Sequence, residues 1–132
     1  MLESEHTIQK RIQLAVSQHH SKIFRVNVGK GFLITYNQIK GKMPNGDYIV
    51  RGPLNYFNAG IPKGHPDLYG FREVDGKIFY IEVKNQKGKP SEDQIRFHRM
   101  LASHNIIHGI ARSVDDARMI VEGGLVGYGF DD

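Results

Sequence analysis

Near the start of the chain Ile8, Ile12, Ala15 and Val16 fall at i, i+4, i+7 and i+8, the stripe of an amphipathic helix. Ser4 is placed to cap it, so the spacing predicts a helix from about Glu5 to Gln18 within an N-terminal region spanning 1–20. Glu5 lies three residues ahead of Ile8 and shares the inward stripe, at a first turn whose dipole tolerates a carboxylate. An acid on that face asks for a use. From Lys22 the period changes to two, with Phe24, Val26 and Val28 alternating against Ile23, Arg25 and Asn27 until Gly29-Lys30-Gly31 breaks the strand. Phe32 to Ile39 reads as its partner strand. The turn formers of 41–47, with Asn45-Gly46 at their centre, predict a hairpin leading into Tyr48-Ile49-Val50. Residues 52–64 carry Pro53, Pro62 and Gly60 and read as a loop.

Asp67 to Val74 and Lys77 to Lys84, joined at Asp75-Gly76, form a second predicted hairpin, followed by a polar, basic loop over 85–90. Ser91-Glu92-Asp93-Gln94 has the form of a capping box and opens a helix to about Ser103, with Ile95, Met100 and Leu101 facing inward. Ile106 to Arg112 is short and apolar enough for a buried strand. Ser113 caps a last helix carrying Ala117, Ile120 and Val121 inward. The Gly-rich tail, 123–132, has no period; a frayed end and a dimer contact both fit it. The predicted order is helix, β-rich middle, hairpin, helix, strand, helix.

With 132 residues the chain has room for one hydrophobic core, so a single domain is expected over 1–132. No apolar run is long enough to span a membrane, and Met1-Leu2-Glu3-Ser4-Glu5 lacks the basic and apolar regions of a signal peptide, so a cytoplasmic location in a bacterial or phage-infected cell is expected. The absence of cysteine excludes disulfides, thiolate zinc sites and a cysteine nucleophile. A net charge of +4 and a pI near 9.4 favour a polyanionic partner.

The chemistry concentrates in Gly64-His65-Pro66-Asp67-Leu68 and Ile81-Glu82-Val83-Lys84. Residues two apart on a strand point the same way, so Glu82 and Lys84 project from one face, with the Val83 carbonyl between them. A hairpin turning at Asp75-Gly76 returns Asp67 to the side of Glu82. Two adjacent carboxylates repel unless a cation or a shared proton intervenes, and carboxylate oxygens are the ligands Mg²⁺ or Mn²⁺ prefers. Such an ion polarises a phosphodiester and activates water, while Lys84 offsets charge growing on the phosphate. A cross-strand ion cluster on a solvated face would give the same spacing. Ile78-Phe79-Tyr80-Ile81-Glu82-Val83, however, is apolar on both faces and reads as a central strand, where charges are costly unless used.

These motifs, followed by Ser91 and Gln94 opening the next helix, resemble the VRR-NUC branch of the PD-(D/E)xK nucleases, the virus-type replication and repair nucleases. The resemblance is densest over the core motifs, 62–112. It implies an α/β fold with a restriction-endonuclease-like core, a central mixed β-sheet flanked by α-helices. It also implies that Asp67, Glu82 and the Val83 carbonyl bind Mg²⁺ or Mn²⁺, with Glu5 matching the family's first-helix glutamate. Lys84 would be the catalytic lysine, and Gln94 matches the family's helix glutamine near the site. A domain of this size is similar to phage-encoded standalone members, which are associated with homodimers that cut four-way (Holliday) junctions. The implied activity is thus a metal-dependent endonuclease acting on branched DNA and leaving a 5′-phosphate. Residues 41–56 have no counterpart in this resemblance.

Other readings stay open. The same core could act on DNA ends, flaps or a specific sequence. A protein of another class, a non-catalytic DNA-binding module, would keep the motif as an ion cluster, and a subunit regulating a larger machine is a third possibility. Lys87, Lys89, Arg96 and Arg99 surround the loop and helix after the motif and are candidates to track phosphates. His65 is a candidate for contact with a phosphate, although strand alternation turns it from the neighbours of Asp67. Tyr56 and Phe57 are expected to bury against the hairpin or to stack on unpaired bases. Among the seven histidines, His19-His20 are adjacent and His104 and His108 straddle a predicted helix end, so neither pair offers the one-face i, i+4 geometry of a zinc helix.

Overall fold

The computed structural model describes residues 2–27 and 30–131. Its elements run α1 (Glu5–Ser17), β1 (Ser21–Arg25), β2 (Lys30–Leu33), a 3₁₀ turn (Tyr36–Gln38), β3 (Ile39–Lys42), β4 (Tyr48–Val50), β5 (Asn55–Asn58), β6 (Leu68–Arg72), β7 (Ile78–Val83), α2 (Glu92–Ser103), β8 (Ile107–Ala111), α3 (Val114–Gly123) and β9 (Val126–Tyr128). They divide into two compact units, Met1–Asn27 with Pro62–Asp132, and Val28–Ile61. No helix among the described residues is long and apolar enough to cross a membrane.

The first unit holds a five-stranded sheet in the order β1-β6-β7-β8-β9. β1, β6 and β7 pair antiparallel, whereas β7, β8 and β9 pair parallel. This is the expected α/β fold with a mixed central sheet flanked by helices. Strand alternation sends Phe79, Ile81 and Val83 of β7, with Ile107 and Ala111 of β8, into one core with Ile8, Ile12 and Val16 of α1 and Ala117, Ile120 and Val121 of α3. The intervening residues face α2, where Gln94 reaches Glu82 and His98 reaches His108. β7 is therefore covered on both faces, as its unbroken apolar run requires.

The predicted caps form. Ser4 accepts from the Thr7 amide, Ser91 and Gln94 make a reciprocal capping box, and Ser113 accepts from the Asp116 amide. The hairpin joining β6 to β7 also forms, with Leu68 opposite Ile81 and Phe71 opposite Ile78.

Four expectations are corrected. The partner of β1 is β6, in register from Ser21 opposite Arg72 to Arg25 opposite Leu68, whereas Phe32 to Ile39 divides into the end of β2, two irregular residues, the 3₁₀ turn and the start of β3. Alternation reports strand propensity but carries no information on the partner. The end of the first strand expected at Val28-Gly29 lies outside the described residues. Within the expected loop over 52–64, Asn55–Asn58 is a strand paired with β2. On α2 the buried residues are His98 and Leu101, while Met100 is exposed; an i, i+3 pair holds the contact with β8 and turns Met100 outward. The tail supplies β9 as an edge strand beside β8, and Gly109 makes room for it: a β-carbon there would lie 2.6 Å from the Tyr128 carbonyl oxygen.

The second unit consists of two ribbons, β2 with β5 and β3 with β4. Asn45-Gly46 turns the latter hairpin as predicted, with Gly46 at φ 97°. Gln38 caps the 3₁₀ turn and donates to the carbonyls of Arg51 and Pro53. No residue from 30 to 61 is buried. The expected burial of Tyr56 and Phe57 is therefore overturned: both are exposed, because a two-stranded ribbon brings no second layer to cover them.

Candidate active site

Asp67 enters β6 from a loop pressed against the first turn of α2. Gly64 sits there at φ 82°, and a β-carbon would come within 2.1 Å of the Asp93 carbonyl oxygen, so only glycine allows the approach. Pro66 is buried beside it. The register that sets Leu68 opposite Ile81 places Asp67 beside Glu82, and Asp67 Oδ2 accepts from the Val83 amide at 2.9 Å.

Glu82 is 4% exposed although it carries an acid. Its Oε1 accepts from Gln94 Nε2 at 2.9 Å and lies 3.5 Å from Lys84 Nζ. Its Oε2 is buried and has no hydrogen-bond partner. Burial and the negative charge of Asp67 push the Glu82 carboxyl up to about 9, against the lowering effect of Lys84. The ammonium thus offsets only part of the cost of the acid pair.

Lys84 continues into a loop held by two devices. Asn85 Oδ1 accepts from the amides of Lys87 and Gly88. Arg112, at the end of β8, donates through Nη1 to the carbonyls of Asn85 (2.5 Å) and Gly88 (2.7 Å). Asp116 fixes Arg112 in turn, accepting from its backbone amide, and itself accepts from the Tyr128 hydroxyl. The loop brings Gly88 up to Glu5: a β-carbon at Gly88 would meet Glu5 Oε1 at 3.0 Å and Lys84 Cδ at 3.2 Å.

Asp67, Glu82, Val83, Lys84 and Gln94 thus stand together, with Glu5 reaching the same loop. Residues 51–115 match the VRR-NUC domain family. This region is a VRR-NUC domain, a nuclease domain of the PD-(D/E)xK type. The matched span contains all of the clustered residues except Glu5, which precedes it. A solved structure described as a VRR_NUC domain shares the fold, at 17% identity and a TM-score of 0.55, over 89% of this chain and 94% of that one. No curated protein matches the chain.

The VRR-NUC type implies a divalent metal, and the donor set suits one. Two adjacent carboxyls, one with a buried orphan oxygen, are the arrangement that a hard cation relieves. Mg²⁺ and Mn²⁺ complete their shells with water, so two carboxylates and a carbonyl suffice. Glu5 stands apart from the pair. Among the described residues no three histidine or acidic side chains gather closely enough to enclose one ion.

The other candidates are dispersed. Lys87 and Lys89 are exposed on the loop, and Arg96 is ion-paired with Asp93 one turn away. Arg99 and Lys89 line, with Arg112 and Phe130, a cavity of about 530 Å³ beside that loop. The His65 ring packs among Tyr69, Tyr80 and Phe97, with its Nδ1 2.7 Å from the Pro66 carbonyl oxygen.

The sequence reading missed the Arg112 clamp and the close approaches at Gly64 and Gly88; glycines flanking the acid motif were the available signal. It also missed a buried pair in which His98 Nδ1 lies 2.7 Å from His108 Nε2, with Phe130 stacked on His98 at 3.8 Å. Ten residues separate the two, so no local spacing reveals them.

Proposed function

We propose that this VRR-NUC domain is a metal-dependent endodeoxyribonuclease that hydrolyses phosphodiester bonds in branched DNA, at four-way junctions, and leaves a 5′-phosphate. The observation that carries the hydrolytic reading is the Asp67–Glu82 pair, in which Glu82 is buried with an orphan oxygen and lies beside Lys84. Asp67, Glu82 and the Val83 carbonyl would hold Mg²⁺ or Mn²⁺, with Glu5 approaching from α1. When bound, such an ion supplies Lewis-acid polarisation of the phosphate and a water more easily deprotonated.

The chain's own groups then have separate tasks. Lys84 presents a positive charge, held by Glu82, to the negative charge that builds on the phosphate oxygens. Gln94 fixes the carboxylate of Glu82 and is fixed by the capping box, so α2 sets the orientation of that acid. Exposed Lys87 and Lys89 are suited to phosphates flanking the cut. The branched substrate and a homodimeric form rest on the resemblance to phage-encoded members. Two like protomers also match a pseudo-symmetric junction.

The test is cleavage of matched linear, flap and four-way DNAs by purified protein with Mg²⁺ or Mn²⁺, alongside light scattering for the oligomeric state. Junction cleavage by a dimer is expected. Cutting of flaps or ends in preference to junctions would reassign the substrate. No cutting of any DNA at near-stoichiometric protein would reject the enzyme.

A further inference from the structure

The unit formed by Val28–Ile61 contributes no buried residue among those described, yet it displays apolar and aromatic side chains along both ribbons. In the β2–β5 ribbon Phe32 stands directly opposite Tyr56. Their rings meet edge to face with centroids 5.6 Å apart, and the two residues are 61% and 60% exposed. Alternation puts Lys30 and its register partner Asn58 on the same ribbon face. In the other ribbon Lys42 Nζ lies 5.5 Å from the centre of the Tyr48 ring. From 30 to 61 the charged residues are Lys30, Lys40, Lys42 and Arg51 against the single acid Asp47.

We propose that the face carrying Lys30, Phe32, Tyr56 and Asn58 is a stacking platform for unpaired bases of the DNA substrate. The charge balance chooses the occupant. A second copy of the chain would bring the same excess of cations to the same surface, whereas DNA brings phosphates of opposite sign. The rings choose between paired and unpaired DNA, because an aromatic face stacks on a base only where that base has left the duplex stack. Lys30 then meets the adjoining phosphate, and Asn58 offers both a donor and an acceptor to a base edge. About two thirds of this unit, through Val50, precedes the span that matches the VRR-NUC family, so Lys30 and Phe32 lie outside that span and Tyr56 and Asn58 within it. The inference rests on the proposed branched substrate, since a branch point is where bases leave the stack.

The experiment measures binding of the full chain, in EDTA so that no hydrolysis occurs, to a four-way junction and to a duplex of equal length. Both carry 2-aminopurine, placed at the branch point of the junction. Wild-type protein is expected to quench the junction probe and to bind the junction more tightly than the duplex. The Phe32→Ala, Tyr56→Ala double variant is expected to lose the quenching and about 10-fold or more of the junction affinity, with duplex affinity unchanged. Phe32→Tyr and Tyr56→Phe retain the rings and are expected to restore both signals, which separates stacking from misfolding. Wild-type junction affinity and quenching in the folded double variant would overturn the platform. So would a wild-type dimer that the double variant converts to monomer, since the face would then join two copies. Failure of the wild type to cut any DNA with Mg²⁺ bears on the nuclease reading alone, because the quenching assay needs no catalysis.

Discussion

The Asp67 carboxylate accepts a hydrogen bond from the amide of Val83 at 2.9 Å, across sixteen residues of sequence. That bond ties the acid entering one arm of the hairpin to the strand that ends the other. It holds Asp67 beside Glu82, and the cost of that proximity is visible in the raised Glu82 carboxyl. A protein using this pair only as a structural ion cluster would gain by replacing Glu82 with a neutral residue.

Glu82→Gln is therefore expected to abolish metal-dependent cleavage while raising stability without metal. The amide keeps the shape and one acceptor for Gln94 but removes the charge. Cleavage assays and thermal melts in EDTA check both halves. Undiminished cutting would remove Glu82 from the mechanism, and a lower melting temperature would contradict the reading of its burial.

Lys84→Ala removes a charge from the reacting region and should lower the cleavage rate by about 100-fold or more. The fold should remain, since the β7 core is built by Phe79, Ile81 and Val83. Single-turnover rates at saturating protein, with circular dichroism as the control, measure the effect.

Without metal, stability should fall as pH rises from 4.5 towards 9. Over that window the unfolded chain releases the Glu82 proton while the folded chain retains it, so the folded state binds more protons and deprotonation favours unfolding. Chemical denaturation in EDTA at several pH values measures the slope, which Glu82→Gln should flatten. Saturating Mg²⁺ should also flatten it, because a bound cation favours the ionised carboxylate.

Two glycines make contrasting predictions. At Gly64 a β-carbon would strike the Asp93 backbone at 2.1 Å from a positive-φ position, so Gly64→Ala should destabilise by about 2 kcal/mol or more. At Gly88 the nearest atom is the end of the flexible Glu5 side chain. Gly88→Ala should therefore leave stability within about 0.5 kcal/mol of wild type and reduce cleavage by displacing Glu5. Denaturant titration beside a cleavage assay distinguishes the two. A fully active Gly88→Ala would place Glu5 outside the mechanism.

Arg112→Met keeps an unbranched apolar stem and deletes both hydrogen bonds to the loop after Lys84. A loss of about 1–3 kcal/mol is expected, with faster amide exchange over 85–89 and slower cleavage. Unaltered exchange in that loop would show that Arg112 does not hold it.

The sequence by itself determined the parts that depend on neighbours along the chain. The helix caps at Ser4, Ser91 and Ser113 follow from a hydroxyl next to free amides, and the turn at Asn45-Gly46 follows from glycine's access to positive φ. The convergence of Asp67, Glu82 and Lys84 was legible for the same reason, since a single tight hairpin fixes their register. Tertiary structure alone decided that β1 pairs with β6, that the tail forms β9, and that none of the described residues of the 28–61 unit is buried. It also decided that His98 meets His108 and that Arg112 clamps the loop at Gly88. Period and propensity state which way a side chain points, whereas the surface it meets is chosen by a competition among all the segments of the folded chain.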